Sequence, residues 1–201
     1  MKRGNSAISA SALGALLVTF ASIAHAQEGP ARGTESLPAR TTEVVPEGQP
    51  RYLGAMRTEL EHMGIEGFNC AAVDAQRATC ELTQRGSASE RDYRVRATYS
   101  DRTDTVYLHV ERYLSAPIDG PGTTALLRRL MELNWQMLLG KFEWDPTDGE
   151  VRLAIVLNTD SNFDRRAFRA SVRALVQLAD RYWTELDRLA SGQPASAGPG
   201  R

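Results

Sequence analysis

Residues 126–157 read LLRRLMELNWQMLLGKFEWDPTDGEVRLAIVL, and this stretch decides the fold. Leu127, Leu130, Met131, Asn134 and Leu138 recur at helical spacing, which predicts a helix over about 124–139 with those residues on its inner face. Two short strands follow, about 140–145 and 151–158. Phe142 and Trp144 alternate with Lys141 and Glu143, and Val151, Leu153, Ile155 and Leu157 alternate with Arg152, Ala154 and Val156. Pro146-Thr147-Asp148-Gly149 between them is a strong turn signal. A second long helix starts near Ser161, with Asp164 three residues on in a capping arrangement. Phe168, Val172, Leu175, Ala179, Tyr182, Leu186 and Leu189 keep a four-three spacing along it, the mark of an amphipathic helix.

Upstream, Leu53, Met56, Leu60 and Met63 form one apolar stripe, which predicts a helix over about 51–63. Gly64 suits the left-handed position after its end, with Ile65 folding back. In 93–99, Tyr93, Val95, Ala97 and Tyr99 share one face, opposite Arg94, Arg96 and Thr98. Val106, Leu108 and Val110 alternate with Tyr107, His109 and Glu111, and residues 101–104 are short enough to join the two as a hairpin. A period of two with one polar face implies an antiparallel sheet covered on one side by helices. The expected class is therefore α+β, in the order α-β-β-β-β-α-β-β-α. The Gly-rich turn at 118–124 lacks the Gly-Lys-Ser/Thr ending of a phosphate-binding loop, so Thr123 is read as a helix cap.

The chain starts with Lys2 and Arg3, then an apolar, small-residue run from Ala7 to Ile23, then Ala24-His25-Ala26. This is the pattern of a secretory signal peptide, residues 1–26, cleaved after Ala26. The run is too short, and too rich in Ala, Ser and Gly, for a stable membrane anchor. The expected location is periplasmic or secreted. Removing Lys2 and Arg3 takes the net charge from −1 to −3, mild and mixed in sign, which argues against nucleic acid as a partner. Residues 27–50 and 191–201 are poor in large apolar side chains and read as a disordered linker and tail, leaving a folded domain over 51–190. The two cysteines, Cys70 and Cys80, flank a hairpin turning at Asp74-Ala75-Gln76 and would face each other across it. Facing Cα atoms in such a pair lie about 4.5 Å apart, within disulfide reach. In an exported protein that implies a structural disulfide.

Chemistry is hard to find. After export His62 and His109 remain, neither with a second His at ligand spacing, and no nucleophile-elbow pattern occurs. The expectation is a protein that is not an enzyme and uses no cofactor or metal. Arg94, Arg96, His109, Glu111, Lys141, Glu143 and Arg152 would form a mixed-charge sheet face, read as cross-strand ion pairs or as a docking surface. Asn134, the polar member of an apolar stripe, is read as a buried amide bonded to neighbouring backbone, with a place in a ligand pocket as the alternative.

Leu133-Asn134-Trp135, Gly140-Lys141-Phe142, the Asp148-Gly149 turn into Val151-Arg152-Leu153, and Ala179-Asp180-Arg181-Tyr182-Trp183 together resemble the YbjN domain family. The resemblance covers most of 51–190 and is sharpest over 126–186. It implies a role as a bacterial sensory transduction regulator and a fold like that of type III secretion chaperones, and it carries no catalytic residue. Those chaperones are cytoplasmic, whereas this chain starts with an export signal, so effector delivery does not follow. Two readings result. The first is an exported, non-enzymatic protein-interaction module of the cell envelope that binds a protein partner and forms a homodimer. The second is a periplasmic small-ligand-binding or sensory protein with a pocket near Trp135 and Trp144. The candidate contact residues are Asn134, Trp135, Trp144, Arg94, Arg96 and His109.

Overall fold

The computed structural model describes residues 48–160 and 162–193. The expected signal peptide, nearly all of the expected linker, Ser161 and the tail from 194 lie outside the described residues. The elements are α1 (Leu53–His62), β1 (Asn69–Asp74), β2 (Arg77–Arg85), β3 (Asp92–Ser100), β4 (Thr105–Ser115), α2 (Thr123–Gln136), β5 (Lys141–Trp144), β6 (Glu150–Asn158) and α3 (Arg165–Ala190). This is the α+β order read from the sequence. The strands form one antiparallel six-stranded sheet, ordered β1-β2-β3-β4-β6-β5.

The sheet buries one face. Leu82, Val95, Ala97, Leu108 and Leu153 alternate inward and lose their contact with water. Helices α1 and α3 pack on that side, α1 against β1 and β2, α3 against β4 and β6. The stripe Phe168, Val172, Leu175, Ala179, Leu186 and Leu189 is buried as its spacing predicts, and Tyr182 is half-buried. Each fully buried aliphatic side chain of this set contributes roughly 1.5–3 kcal/mol.

In α1, Leu53, Met56 and Leu60 are buried and Met63 is half-buried. Gly64 takes a φ of 68°, and the Ile65 amide donates back to the Leu60 carbonyl, closing the helix as expected. A buried acid joins α1 to α3. Glu59, 1 % exposed, accepts hydrogen bonds from Arg165 (3.0 Å) and Arg169. Burial would raise its carboxyl, but the two guanidiniums hold it below its usual value.

Three local expectations need correction. Thr123 does not cap α2. Gly122 is the N-cap, and Thr123 sits inside the helix with its hydroxyl donating to the Pro117 carbonyl at 2.6 Å. The reason is close packing on the end of α3, since a Cβ at Gly122 would lie 1.9 Å from the Leu189 carbonyl oxygen. Helix α3 begins at Arg165, with Asp164 itself as N-cap, its carboxylate accepting from the Ala167 amide at 2.8 Å. Helix α2 ends at Gln136, because Met137 turns to an extended ψ of 127°. Lys141 Nζ then donates to the freed carbonyls of Asn134 and Met137.

Candidate functional site

The inner face of α2 is rotated from the one read in the sequence. Leu126, Leu130 and Leu133 are buried, and Met137 continues that line. Met131 and Leu138, expected inward, are 67 % and 104 % exposed, and Trp135 is 91 % exposed. The helix carries apolar residues on both sides, so periodicity alone did not single out the buried one. Met131 and Trp135 stand one turn apart. The early end of α2 then carries Leu138 and Leu139 outward over a cleft whose other wall is Ala174, Leu178 and Tyr182 of α3. Met131, Trp135, Leu138 and Leu139 thus leave large apolar side chains exposed at this end of the helix, an apolar patch.

Beside the patch, Asn134 is half-buried rather than buried, and it bonds to neighbouring backbone. Its Nδ2 donates to the Phe142 carbonyl at 3.0 Å and its Oδ1 accepts from the Phe142 amide at 2.7 Å. Trp144 is half-buried, its indole N–H donating to the Ala116 carbonyl at 2.9 Å. Trp135 and Trp144 thus sit in different settings, one in solvent and one fixed to backbone, and neither lines the cleft formed by α2 and α3.

The sheet face away from the helices carries the charged residues. Arg96 on β3 lies 2.7 Å from both Glu81 on β2 and Glu111 on β4. Arg152 pairs with Glu150 on β6, and the Tyr107 hydroxyl donates to Glu143. The Arg152 guanidinium and the Arg112 amide hold the Glu150 carboxyl down at about 2. His109 lies at the centre, opposite Arg96 on β3 and Ala154 on β6, with its ring 4.9 Å from that of Tyr107. Alternation placed it on this face, but neighbouring side chains cover it to 6 % exposure and its Nδ1 has no partner among the described residues. Burial, reinforced by Arg152 and Arg96, lowers its pKa to about 4, so the ring is neutral at neutral pH. Arg94 is exposed at the edge of the same face.

The Cys70–Cys80 disulfide is present, with the two residues directly paired across β1 and β2 and Cα atoms 4.0 Å apart. The sequence reading did not foresee Asp180. This buried acid on α3 accepts from the Ala88 and Ser89 amides at 2.8 and 2.9 Å and from the Ser89 hydroxyl at 2.6 Å, tying the β2–β3 loop to the helix. Burial opposes ionisation, but the Ser89 hydroxyl and these amides hold the carboxyl at about 2. A carboxylate adjoining the apolar stripe of α3 was the available signal. Among the described residues no group of three or more His, Cys, Asp or Glu could hold a metal ion, and no helix is long and apolar enough to cross a membrane.

The profile of the YbjN family, described as "Putative bacterial sensory transduction regulator", matches residues 79–188, from the second strand almost to the end of α3. The chain belongs to the YbjN family. The matched span includes Asn134 and its Phe142 partner, the apolar patch and Asp180, and begins just before Cys80. No curated protein matches this YbjN chain. Among solved structures it is similar to a chain in the crystal structure of the ExsC-ExsE complex, with 17 % identity and a TM-score of 0.40, over 69 % of this chain and 98 % of that one.

Proposed function

We propose that this YbjN domain is a non-enzymatic, regulatory protein-interaction module that acts after export, in the periplasm or outside the cell. The apolar patch of Met131, Trp135, Leu138 and Leu139 carries the reading. Aromatic and Met side chains of this kind are the anchors that protein interfaces use. A second copy of the chain is the first partner to test, since a homodimer would cover the patch symmetrically. The family's regulatory description supports the module reading. Support for export comes from Lys2, Arg3, the apolar run and the Ala24-His25-Ala26 site, together with the Cys70–Cys80 bond. The ligand-pocket reading lacks such support, because Trp135 stands in solvent and the Trp144 indole is already bonded.

The test places a photo-crosslinking residue at Met131 or, as a control on the charged sheet face, at Thr98, in the full chain expressed in its host. Adducts to one defined protein from position 131, absent from position 98 and lost with Trp135→Ser, are expected. Equal labelling from both positions, or none from 131, would overturn the proposal. Export is checked separately by the mass of the mature N-terminus, which is expected to start at Gln27.

A further inference from the structure

The apolar patch at the end of α2 offers a partner side chains but little backbone to pair with. The adjoining edge strand is β5, and Asn134 already takes both the N–H and the C=O of Phe142 within it. An extended peptide therefore cannot add to the sheet at Phe142, the backbone route by which strands dock. What remains open is a groove between helices. Arg128, Met131 and Trp135 follow a three-four spacing along the exposed side of α2, and Leu138 and Leu139 continue past its end. Leu178 and Tyr182 of α3 supply the opposite wall. Apolar anchors about one helical turn apart over such a groove fit the apolar face of another helix.

The charge on these two helices is one-sided. Apart from the buried Asp180, the acids of α2 and of α3 as far as residue 185 are Glu132 and Glu185. Both lie against Arg129, at 3.1 and 2.7 Å. Arg128 and Arg181 form no ion pair among the described residues, and Arg181 lines the cleft with Leu138 and Leu139. Arg173 is likewise exposed and unpaired, one turn before Gln177, which lines the same cleft. A second copy of the chain would not supply the missing negative charge. Pairing α2 with itself sets Arg128 against Arg128 in a parallel crossing, and against the Arg181 end of the groove in an antiparallel one. Cation meets cation either way, which disfavours the pairing.

We infer, building on the protein-interaction reading of this patch, that its partner is an amphipathic helix of a different protein, with apolar residues facing the groove and Asp or Glu along their flanks. The apolar residues cover Trp135, Leu138 and Leu139. The acids meet Arg128 on one wall and Arg173 and Arg181 on the other. Rim charge of this kind selects which helix binds more than it sets how tightly.

The test measures, by fluorescence anisotropy, the binding of two labelled synthetic peptides to the disulfide-intact chain from Gln27 onward. Each peptide is about 18 residues long, enough to hold a helix. One carries Leu along a single face with Glu on either flank, and its twin has Lys at every Glu position. The Glu peptide is expected to bind saturably and at least about tenfold tighter than its twin, the combined size of a few exposed ion pairs. The preference should shrink as salt is raised and in an Arg128→Gln, Arg181→Gln double variant, while Leu138→Ser weakens binding of the Glu peptide. These side chains are exposed, so the variants are expected to fold as the wild type does. Equal or tighter binding of the Lys twin, no binding of either peptide, or self-association of the chain that Leu138→Ser abolishes would overturn the inference. If position 131 still crosslinks to one defined protein in the host, the interaction reading survives such a result and only the acidic helix falls.

Discussion

Asn134 and Phe142 exchange two hydrogen bonds, amide side chain to peptide backbone, and so join the last turn of α2 to the edge strand β5. β5 is four residues long and pairs only with β6, so its outer backbone groups have few partners. The neighbouring side chain, Trp135, stands in solvent. Two adjacent residues of one helix thus serve opposite purposes, one holding the fold and one facing outward.

That contrast gives a paired prediction. Asn134→Ala leaves the Phe142 N–H and C=O without their partners and is expected to cost about 2 kcal/mol in chemical denaturation. Trp135→Ala is expected to change stability by no more than about 0.5 kcal/mol, as for other exposed sites. A large stability loss in the Trp135 variant would mean that its side chain is buried in the working state of the isolated protein.

The disulfide closes a short loop between residues ten apart in sequence. In the chain-entropy model this contributes about 3 kcal/mol, by restricting the unfolded chain. The Cys70→Ser, Cys80→Ser double variant is expected to lose about that much and to become insensitive to reductant, whereas the wild type should approach it on reduction. An unchanged denaturation midpoint on complete reduction would count against a stabilising role.

Much of this architecture was legible in the sequence, and the misreadings have physical causes. The Cys70–Cys80 pairing follows from a period of two about a defined turn, and the α3 stripe from seven apolar residues that never break phase. The inner face of α2 was misread because Met131 and Trp135 put large apolar side chains on its outer side as well, so helical period did not separate the two. The burial of His109 was also hidden. Alternation places it on the outer face, and it is covered there by Tyr107 and the arginines of neighbouring strands, a result of register rather than composition. The bulge at Arg112 has no local signal, since a glycine would have announced it and an arginine does not.

His109 sets a pH dependence whose sign is fixed by its lowered pKa. Burial lowers the folded ring's pKa to about 4 from its ordinary 6.5, so the unfolded chain takes up the proton first. Its contribution is complete above about 6.5, declines as pH falls towards 4, and amounts at most to about 3 kcal/mol over that window. Asp180 and Glu150, both held near 2, act in a lower window, losing their contribution as pH falls from the usual carboxylate range towards 2. His109→Gln is therefore expected to flatten the stability profile between pH 6.5 and 4 while leaving the steeper acid loss below it. A variant with the same slope as the wild type across the upper window would show that the ring is solvated.

Asp180 offers the sharpest local test. Its carboxylate gathers the Ala88 and Ser89 amides and the Ser89 hydroxyl, and the Tyr93 hydroxyl bonds to the same Ser89 oxygen at 2.9 Å. Asp180→Asn keeps the shape but turns one acceptor oxygen into an NH2 donor, which faces donors it cannot satisfy. The expected cost is about 2–3 kcal/mol, the penalty of a buried group left without its partner. It should fall mainly on the loop, so that hydrogen exchange at Ala88 and Ser89 accelerates far more than at Val95 or Leu108 in the sheet. Equal acceleration throughout the sheet would show that Asp180 supports the whole fold rather than the β2–β3 loop.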